Sequence, residues 1–411
     1  MTGDTVPTFV IIGAGLAGAK AAEALRDKDF DGDIVLFGSE AHLPYERPPL
    51  SKDYLAGKKE SDEFTVQRQS WYRDHGIDLR LNTTVESIDP AAHTVGLAGG
   101  GHQRYDKLLL ATGSAARRLP IPGSDADGVH VLRTLDDAAN LRALLKDGTR
   151  LAVVGAGWIG LEVAASARES GADVTVVESA DLPLAALGSD VAQVFTALHR
   201  EHDVDLRLGT SVEEITTADG SATGLRLGDG STVQADVVLI AVGARPNIDL
   251  AEKAGLSLAD GGVAVDEALR TSDPDIFAVG DIAAAQHPLW GTRIRTEHWA
   301  NALKQPAVAV AGMLGSPGSY DELPYFFTDQ YDLGMEYVGH APPDARVVFR
   351  GDVPGREFTA FWLDDEARVL AGMNVNIWEG LDDIKALVHG RHSVDVARLT
   401  DPDVSLGDVG T

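Results

Sequence analysis

Cysteine is absent from all 411 residues of the chain. Its absence excludes a disulfide framework, a thiolate-held metal or cluster, and a redox-active dithiol. Any electron chemistry must therefore sit on a bound organic cofactor or on a partner protein. Long apolar runs are missing too. None approaches the ~18 consecutive residues a membrane span needs, and Met1 to Pro7 lack the basic and apolar regions of a signal peptide. A soluble, cytoplasmic chain with no membrane partner is expected. Positive charge is scarce: 35 Lys and Arg stand against 63 Asp and Glu, a formal net charge of −28. That balance argues against nucleic acid and anionic membrane surfaces as partners. No metal site is expected. His199/His202 and His389/His392 have helix spacing for one face, but no third ligand type clusters nearby, so they read as solvated helix faces.

Glycine, by contrast, is plentiful, with 44 residues, and two glycine clusters carry the argument. The first follows an apolar strand and opens a helix: Thr8-Phe-Val-Ile-Ile-Gly13-Ala-Gly15-Leu-Ala-Gly18, then Ala19 to Arg26, then a second strand from Asp33 to Phe37. The pattern returns as Arg150-Leu-Ala-Val-Val-Gly155-Ala-Gly157-Trp-Ile-Gly160, with a helix to Ser170 and a strand from Asp173 to Glu178. One such fingerprint alone is weak evidence. Two in one chain, each in full strand–turn–helix–strand context, are strong. The first glycine permits the tight turn, the second lets a pyrophosphate approach the backbone, and the third lets helix and strand pack closely. The pyrophosphate then meets free N–H groups at a helix N-terminus. Two units imply two dinucleotides, FAD and a nicotinamide.

A chain of this length calls for two or three domains. Lys107-Leu-Leu-Leu-Ala-Thr-Gly113 and Val237-Val-Leu-Ile-Ala-Val-Gly243 each end an apolar strand at a glycine, and Arg245-Pro246-Asn247 follows the second. These read as the two crossings between a flavin domain and an inserted nicotinamide domain. After Tyr320 the texture turns aromatic and β-prone, in Tyr325-Phe-Phe-Thr-Asp and Phe358-Thr-Ala-Phe-Trp-Leu, with a closing helix near Leu381 to Val388. The expected fold is α/β, with two Rossmann-like dinucleotide-binding domains and a C-terminal α+β domain. Residues 1–114 and 244–320 are expected to form the FAD domain, 115–243 the NAD domain inserted in it, and 321–411 the C-terminal domain.

Five motifs in order resemble the pyridine nucleotide-disulfide oxidoreductase superfamily, and within it the ferredoxin reductase branch of putidaredoxin-reductase and dioxygenase type. They are the two glycine fingerprints, Pro44-Tyr-Glu-Arg-Pro-Pro-Leu-Ser-Lys52, Leu110-Ala-Thr-Gly113, and Thr271-Ser-Asp-Pro-Asp-Ile-Phe-Ala-Val-Gly-Asp281. The resemblance covers nearly the whole chain. The disulfide branches carry a Cys pair beside the flavin, so the match is to the branch without that relay. Asp281 ends an apolar strand at a glycine, where its carboxylate can meet the sugar chain of the flavin nucleotide, as the resemblance also implies. Two prolines stiffen the segment leading to Lys52, which suits placing a cation near the flavin ring. By resemblance Lys52 pairs with Glu162, and these two are the expected catalytic residues.

The same resemblance brings Thr112, Gly113, Arg47, Arg133 and Trp299 to the flavin. The full FAD set is Gly13, Gly15, Ala17, Gly18, Ser39, Glu40, Arg47, Lys52, Val85, Thr112, Gly113, Arg133, Gly280, Asp281 and Trp299. The NAD set is Gly155, Gly157, Trp158, Ile159, Gly160, Glu162, Glu178 and Gly243. Glu178 closes the second strand of the nicotinamide unit, where a carboxylate accepts hydrogen bonds from ribose hydroxyls and repels a 2′-phosphate. No Lys or Arg occurs between Arg168 and Arg200, so NADH is expected rather than NADPH. In the first unit the acid is displaced, and Ser39 or Glu40 takes its place. The resemblance implies hydride transfer from NADH to flavin N5, then single electrons to a 2Fe–2S ferredoxin, or a rubredoxin, that serves a P450 or a dioxygenase. The competing readings are an NADH oxidase or small-acceptor reductase, and a non-catalytic NADH-binding flavoprotein like apoptosis-inducing factor. The oligomeric state is left open. Arg293, Arg295 and Lys304 bracket Trp299 and form the expected basic patch for the acceptor.

Overall fold

The computed structural model describes residues 6–410. The chain gathers into two compact units. The first takes the described parts of Met1–Arg47, with Ser61–Ala115 and Ala244–Glu322. The second takes Pro48–Glu60, Ala116–Gly243 and the described parts of Leu323–Thr411.

The first unit is built on a five-stranded parallel sheet. Its strands run Ile276–Ala278, Lys107–Leu110, Thr8–Ile12, Asp33–Phe37, Ile77–Arg80 across the sheet. The central strands are continuous apolar runs rather than alternating ones because both faces are covered. Val10, Ile11, Leu36, Leu108 and Leu109 are completely buried. The helix Leu16–Asp27 turns Ala17, Ala21, Ala22 and Leu25 inward and packs on the helix Trp299–Met313. Alanines on that face let the backbone come close to the sheet, and Leu25 supplies bulk worth ~1.5–3 kcal/mol when fully buried. Smaller antiparallel sheets complete the unit, one from Val85–Asp89, Thr94–Leu97 and His102–Arg104.

The second unit repeats the plan. Asp205–Arg207, Asp173–Val177, Arg150–Val154, Val237–Ile240 and Val129–His130 form a parallel sheet in that order. The helices Trp158–Glu169 and Ser189–Glu201 follow its first two long strands. To this it adds an antiparallel sheet ordered Tyr325–Gln330, Leu333–Gly339, Val369–Val375, Glu357–Leu363, Arg346–Asp352, with the helix Leu381–Gly390 packed on it. The fold is thus α/β, with two Rossmann-like sheets and a C-terminal antiparallel layer. The short excursion Pro48–Glu60 belongs to this second unit. Arg142 clamps its far end through Glu60 at 2.8 Å and lies over the Tyr54 ring, and Lys58 meets Glu169 at 2.6 Å.

Candidate active site

In the first unit the strand Thr8–Ile12 runs straight into the glycine turn. Gly13 has φ +115°, and a Cβ there would collide with the Ala111 carbonyl oxygen; one on Gly18 would collide with the Gly13 carbonyl. Both glycines thus have reasons internal to the fold. Gly15 has none, since a Cβ there would meet nothing within 4 Å. Gly15 is also the N-cap of a helix that has no side-chain cap, so its first N–H groups point outward without intrahelical partners. Most of the other expected flavin residues lie in this first unit, whereas Lys52 and Arg133 fall in the second. Gly280 lies beside Ala17, and its N–H donates to the buried Gln305 of the helix that begins at Trp299. Asp281 is buried and sits close enough to Arg47 to act on its charge. Burial opposes the Arg47 guanidinium, but Tyr45, Glu40 and Asp281 outweigh it and hold its pKa above the ordinary value. Glu40 accepts from Tyr45 at 2.6 Å and Arg47 at 3.0 Å. Gly38 abuts Ala14 of the turn, leaving Ser39 exposed just beyond it. Thr112 and Gly113 are tied to Asn247, whose side chain donates to the Thr112 carbonyl at 2.9 Å. Val85 is buried in the hydrophobic core of this unit.

In the second unit the same logic recurs. Gly155, at φ +105°, and Gly160 are required by the Ala241 and Gly155 carbonyls, whereas a Cβ on Gly157 would meet nothing within 4 Å. Glu178 is fixed to this turn. One carboxylate oxygen accepts the Ala156 N–H at 2.8 Å, and the other accepts the Ala180 N–H at 2.9 Å and the Ser179 hydroxyl at 3.0 Å. Trp158 packs between Phe195 and Phe326, with ring centroids 5.6 and 5.0 Å away. Ile159 is exposed. Gly243 has φ +100°, and its carbonyl accepts the Arg117 N–H. Arg133 also belongs to this unit; its N–H and that of Thr134 both donate to Asp137, in the capping box of the helix Leu135–Leu144.

Lys52 and Glu162 meet within the second unit at 2.8 Å, with side chains only 13% and 4% exposed. Glu162 projects from the glycine helix, and Lys52 comes from the Pro48–Glu60 excursion. Two hydroxyls share the same carboxylate: Ser51 donates to it at 2.5 Å and Thr328 at 2.6 Å. Ser166 donates to the Ser51 carbonyl at 2.8 Å and holds the excursion on the helix. The ammonium also lies 5.3 Å from the centre of the Phe327 ring, a cation–π contact. Burial raises the Asp329 pKa, Lys52 pulls it back and Glu162 pushes it further up. A pair this buried is held by its donors, because a lone charge left there costs several kcal/mol. Sequence reasoning missed Ser51 and Thr328. Thr328 and Gln330, polar residues two apart in a β-prone apolar stretch, were the available signal for a polar stripe on one strand face.

Two expectations need correction. Arg293, Arg295 and Lys304 are not a free basic patch. Arg293 donates to the Val265 and Ala284 carbonyls, Arg295 to the Asp260 carbonyl at 2.8 Å and to Glu297 at 2.5 Å, and Lys304 pairs with Glu322 at 2.5 Å. In a chain with so large an excess of acid, cations find local partners. The second correction concerns His199, which lies on no solvated face. It is completely buried, with Nε2 2.8 Å from the Gln330 Oε1, and burial lowers its pKa to about 4. Among the described residues, no group of three or more His, Cys, Asp or Glu could hold a metal ion. Among them, too, no helix is long and apolar enough to cross a membrane.

The family model for pyridine nucleotide-disulphide oxidoreductases matches residues 7–306, and that for the reductase C-terminal region matches 325–409. The chain belongs to the pyridine nucleotide-disulphide oxidoreductase family. It is 40% identical over 399 residues to the ferredoxin–NAD(+) reductase component of the anthranilate 1,2-dioxygenase system of Burkholderia cepacia, covering 97% of this chain and 98% of that one. To putidaredoxin reductase of Pseudomonas putida it is 36% identical over 406 residues, covering 97% and 96%. Among solved structures, the covalent putidaredoxin reductase–putidaredoxin complex matches with a TM-score of 0.94 at 35% identity, covering 98% of each chain. FAD and NAD(H) are the cofactors of this family, and the residues fit them. Each turn keeps a middle glycine that none of the described residues requires, where a dinucleotide's pyrophosphate needs bare backbone.

Proposed function

We propose that this chain is an NADH-dependent, FAD-containing ferredoxin reductase. It passes electrons one at a time to a 2Fe–2S ferredoxin that serves an oxygenase of the P450 or dioxygenase kind. The carrying observation is the pair of glycine turns with unexplained middle glycines in a chain without cysteine. Two dinucleotides are accommodated, and no protein thiol receives the electrons, so they leave for an outside acceptor. The names of the relatives, ferredoxin–NAD(+) reductase component and putidaredoxin reductase, support that acceptor. FAD, once bound, supplies hydride acceptance and single-electron release.

The chain's own residues bind and orient. In this reading residues 1–114 with 244–320 hold FAD and 115–243 hold NADH, while 321–411 complete the reductase. Glu178 accepts from the ribose hydroxyls of NADH with the lone pairs its backbone donors leave over, and it repels a 2′-phosphate. Lys52, oriented by Glu162, offsets negative charge that develops on the flavin ring. Arg47 and Asp281 hold the flavin nucleotide, and Arg133 and Trp299 complete its surroundings. Trp158 and Ile159 border the nicotinamide nucleotide.

The purified protein should be yellow and release one FAD per chain on denaturation. With NADH it should reduce ferricyanide directly, and cytochrome c only when a 2Fe–2S ferredoxin is added. A folded protein without flavin sinks the reading. Rapid oxygen consumption with no ferredoxin dependence replaces it with an oxidase. Flavin reduction without turnover on any acceptor replaces it with a binding protein.

A further inference from the structure

The buried side chains beyond Glu162 have one consistent set of proton positions. Facing the Lys52 ammonium, the Glu162 carboxylate accepts and has no proton to give. The Thr328 hydroxyl, 2.6 Å away, must therefore point its hydrogen at Glu162. That leaves Thr328 only acceptor capacity toward Gln330, whose amide nitrogen lies 3.2 Å from it. With its NH2 so committed, Gln330 turns its carbonyl oxygen to His199, 2.8 Å from Nε2. His199 must then carry its proton on Nε2, and its Nδ1 is left as an acceptor. Among the described residues, the donor facing Nδ1 is the Tyr331 hydroxyl at 3.5 Å, the outer limit of a hydrogen bond. His202 stacks on that tyrosine ring at 3.6 Å. Thr328, Gln330, His199 and Glu162 are all buried, so water does not substitute for a missing link. Every donor in the series points toward Glu162, the arrangement in which hydrogen bonds polarise one another.

We propose that His199 is a positioning residue, which acts through Gln330 and Thr328 to hold the Glu162 carboxylate and, with it, Lys52. The strand Tyr325–Gln330 supplies two alternate side chains as the link, and the helix Ser189–Glu201 supplies the fixed end. A lone buried histidine in an apolar core needs no such series. This one is locked into a single tautomer by a carboxylate three residues away along the chain of contacts. Its effect on the reaction rests on the role assigned to Lys52 above; its tautomer does not.

The experiment uses the FAD-loaded protein with 15N-labelled histidine, in which nitrogen shifts report the tautomer. Wild-type His199 should carry its proton on Nε2 throughout about pH 5 to 8. Thr328→Val removes the hydroxyl, frees the Gln330 amide to turn, and should give His199 a mixture of tautomers although residue 328 does not touch it. Thr328→Ser should keep the single tautomer. A wild-type proton on Nδ1, or a tautomer unmoved by Thr328→Val, overturns the proposal. In stopped-flow reduction of the flavin by NADH, His199→Leu should slow the step several-fold. His199→Gln, which can still offer an N–H to Gln330, should recover most of it, and equal rates for the two variants also overturn the proposal. Should Lys52→Met leave the rate unchanged while Thr328→Val still shifts the tautomer, the coupling stands and the role given to Lys52 falls.

Discussion

The two glycine turns share a backbone and differ in what closes the neighbouring strand. Beside the first, Glu40 is taken up by Arg47 and Tyr45, so its charge is balanced within the fold. Beside the second, Glu178 is held by two backbone N–H groups and a hydroxyl, all neutral donors. The second turn therefore presents an uncompensated carboxylate fixed in position, and the first does not. In the proposed function, nucleotide discrimination therefore falls to the second turn. The ion pairs differ in the same spirit. Arg47–Glu40 is 32% and 28% exposed, whereas Lys52–Glu162 is nearly sealed.

The largest expected effect comes from filling the open middle positions. Gly15→Val should yield folded protein without flavin. Gly157→Val should keep the flavin and slow its reduction by NADH about a hundredfold, because the nicotinamide is no longer held in line. Flavin content and stopped-flow rates check both, and loss of flavin from Gly157→Val would erase the distinction between the turns. Next come the ion pairs. Lys52→Met should destabilise the protein by about 3–5 kcal/mol, because Glu162 is left buried without its cation. Arg47→Met should cost only about 1 kcal/mol. Guanidinium unfolding of the flavin-loaded variants measures both, and Lys52→Met combined with Glu162→Gln should recover most of the larger loss.

A smaller effect tests the acid itself. Glu178→Ala with Ser179→Arg should shift the ratio of kcat/KM for NADPH over NADH upward. A charge-assisted bond to the 2′-phosphate is worth about 1.5–3 kcal/mol, or roughly ten- to a hundredfold. Glu40→Ala should leave that ratio alone. If Glu40→Ala shifts it and the Glu178 change does not, the roles of the two strands are exchanged. A last effect is in the pH dependence of stability. Folded His199 takes up a proton only near pH 4, whereas the unfolded chain does so near the ordinary histidine value. Its contribution is therefore complete above about pH 6.5 and is lost as pH falls toward 4, by at most about 1.4 kcal/mol per pH unit. His199→Gln should flatten the wild-type curve in that window, measured as unfolding free energy against pH.

What was legible in the sequence follows the range of each constraint. The glycine turns could be read because the constraint is local: strand, turn and helix occupy neighbouring residues, and the parallel sheets followed from them. The buried pair was reached only by resemblance, because residues 52 and 162 are distant in sequence and their spacing encodes nothing. Thr328, Gln330 and His199 were missed for the same reason. The spacing of His199 and His202 does place both near Tyr331, yet no helix periodicity shows that the strand Tyr325–Gln330 seals one of them from water. The basic patch failed because counting charges along Arg293 to Lys304 ignores the carbonyls and acids each cation meets in space.

Departure of NADH-derived electrons one at a time to an iron–sulfur partner is the core of the proposed function. Its most direct test is anaerobic titration of the FAD-loaded protein with NADH, in the presence of excess oxidised 2Fe–2S ferredoxin, followed at the cluster's absorbance. Two ferredoxins should be reduced for each NADH consumed, at a rate that survives the absence of oxygen. Flavin that bleaches with NADH while every ferredoxin offered stays oxidised would contradict it.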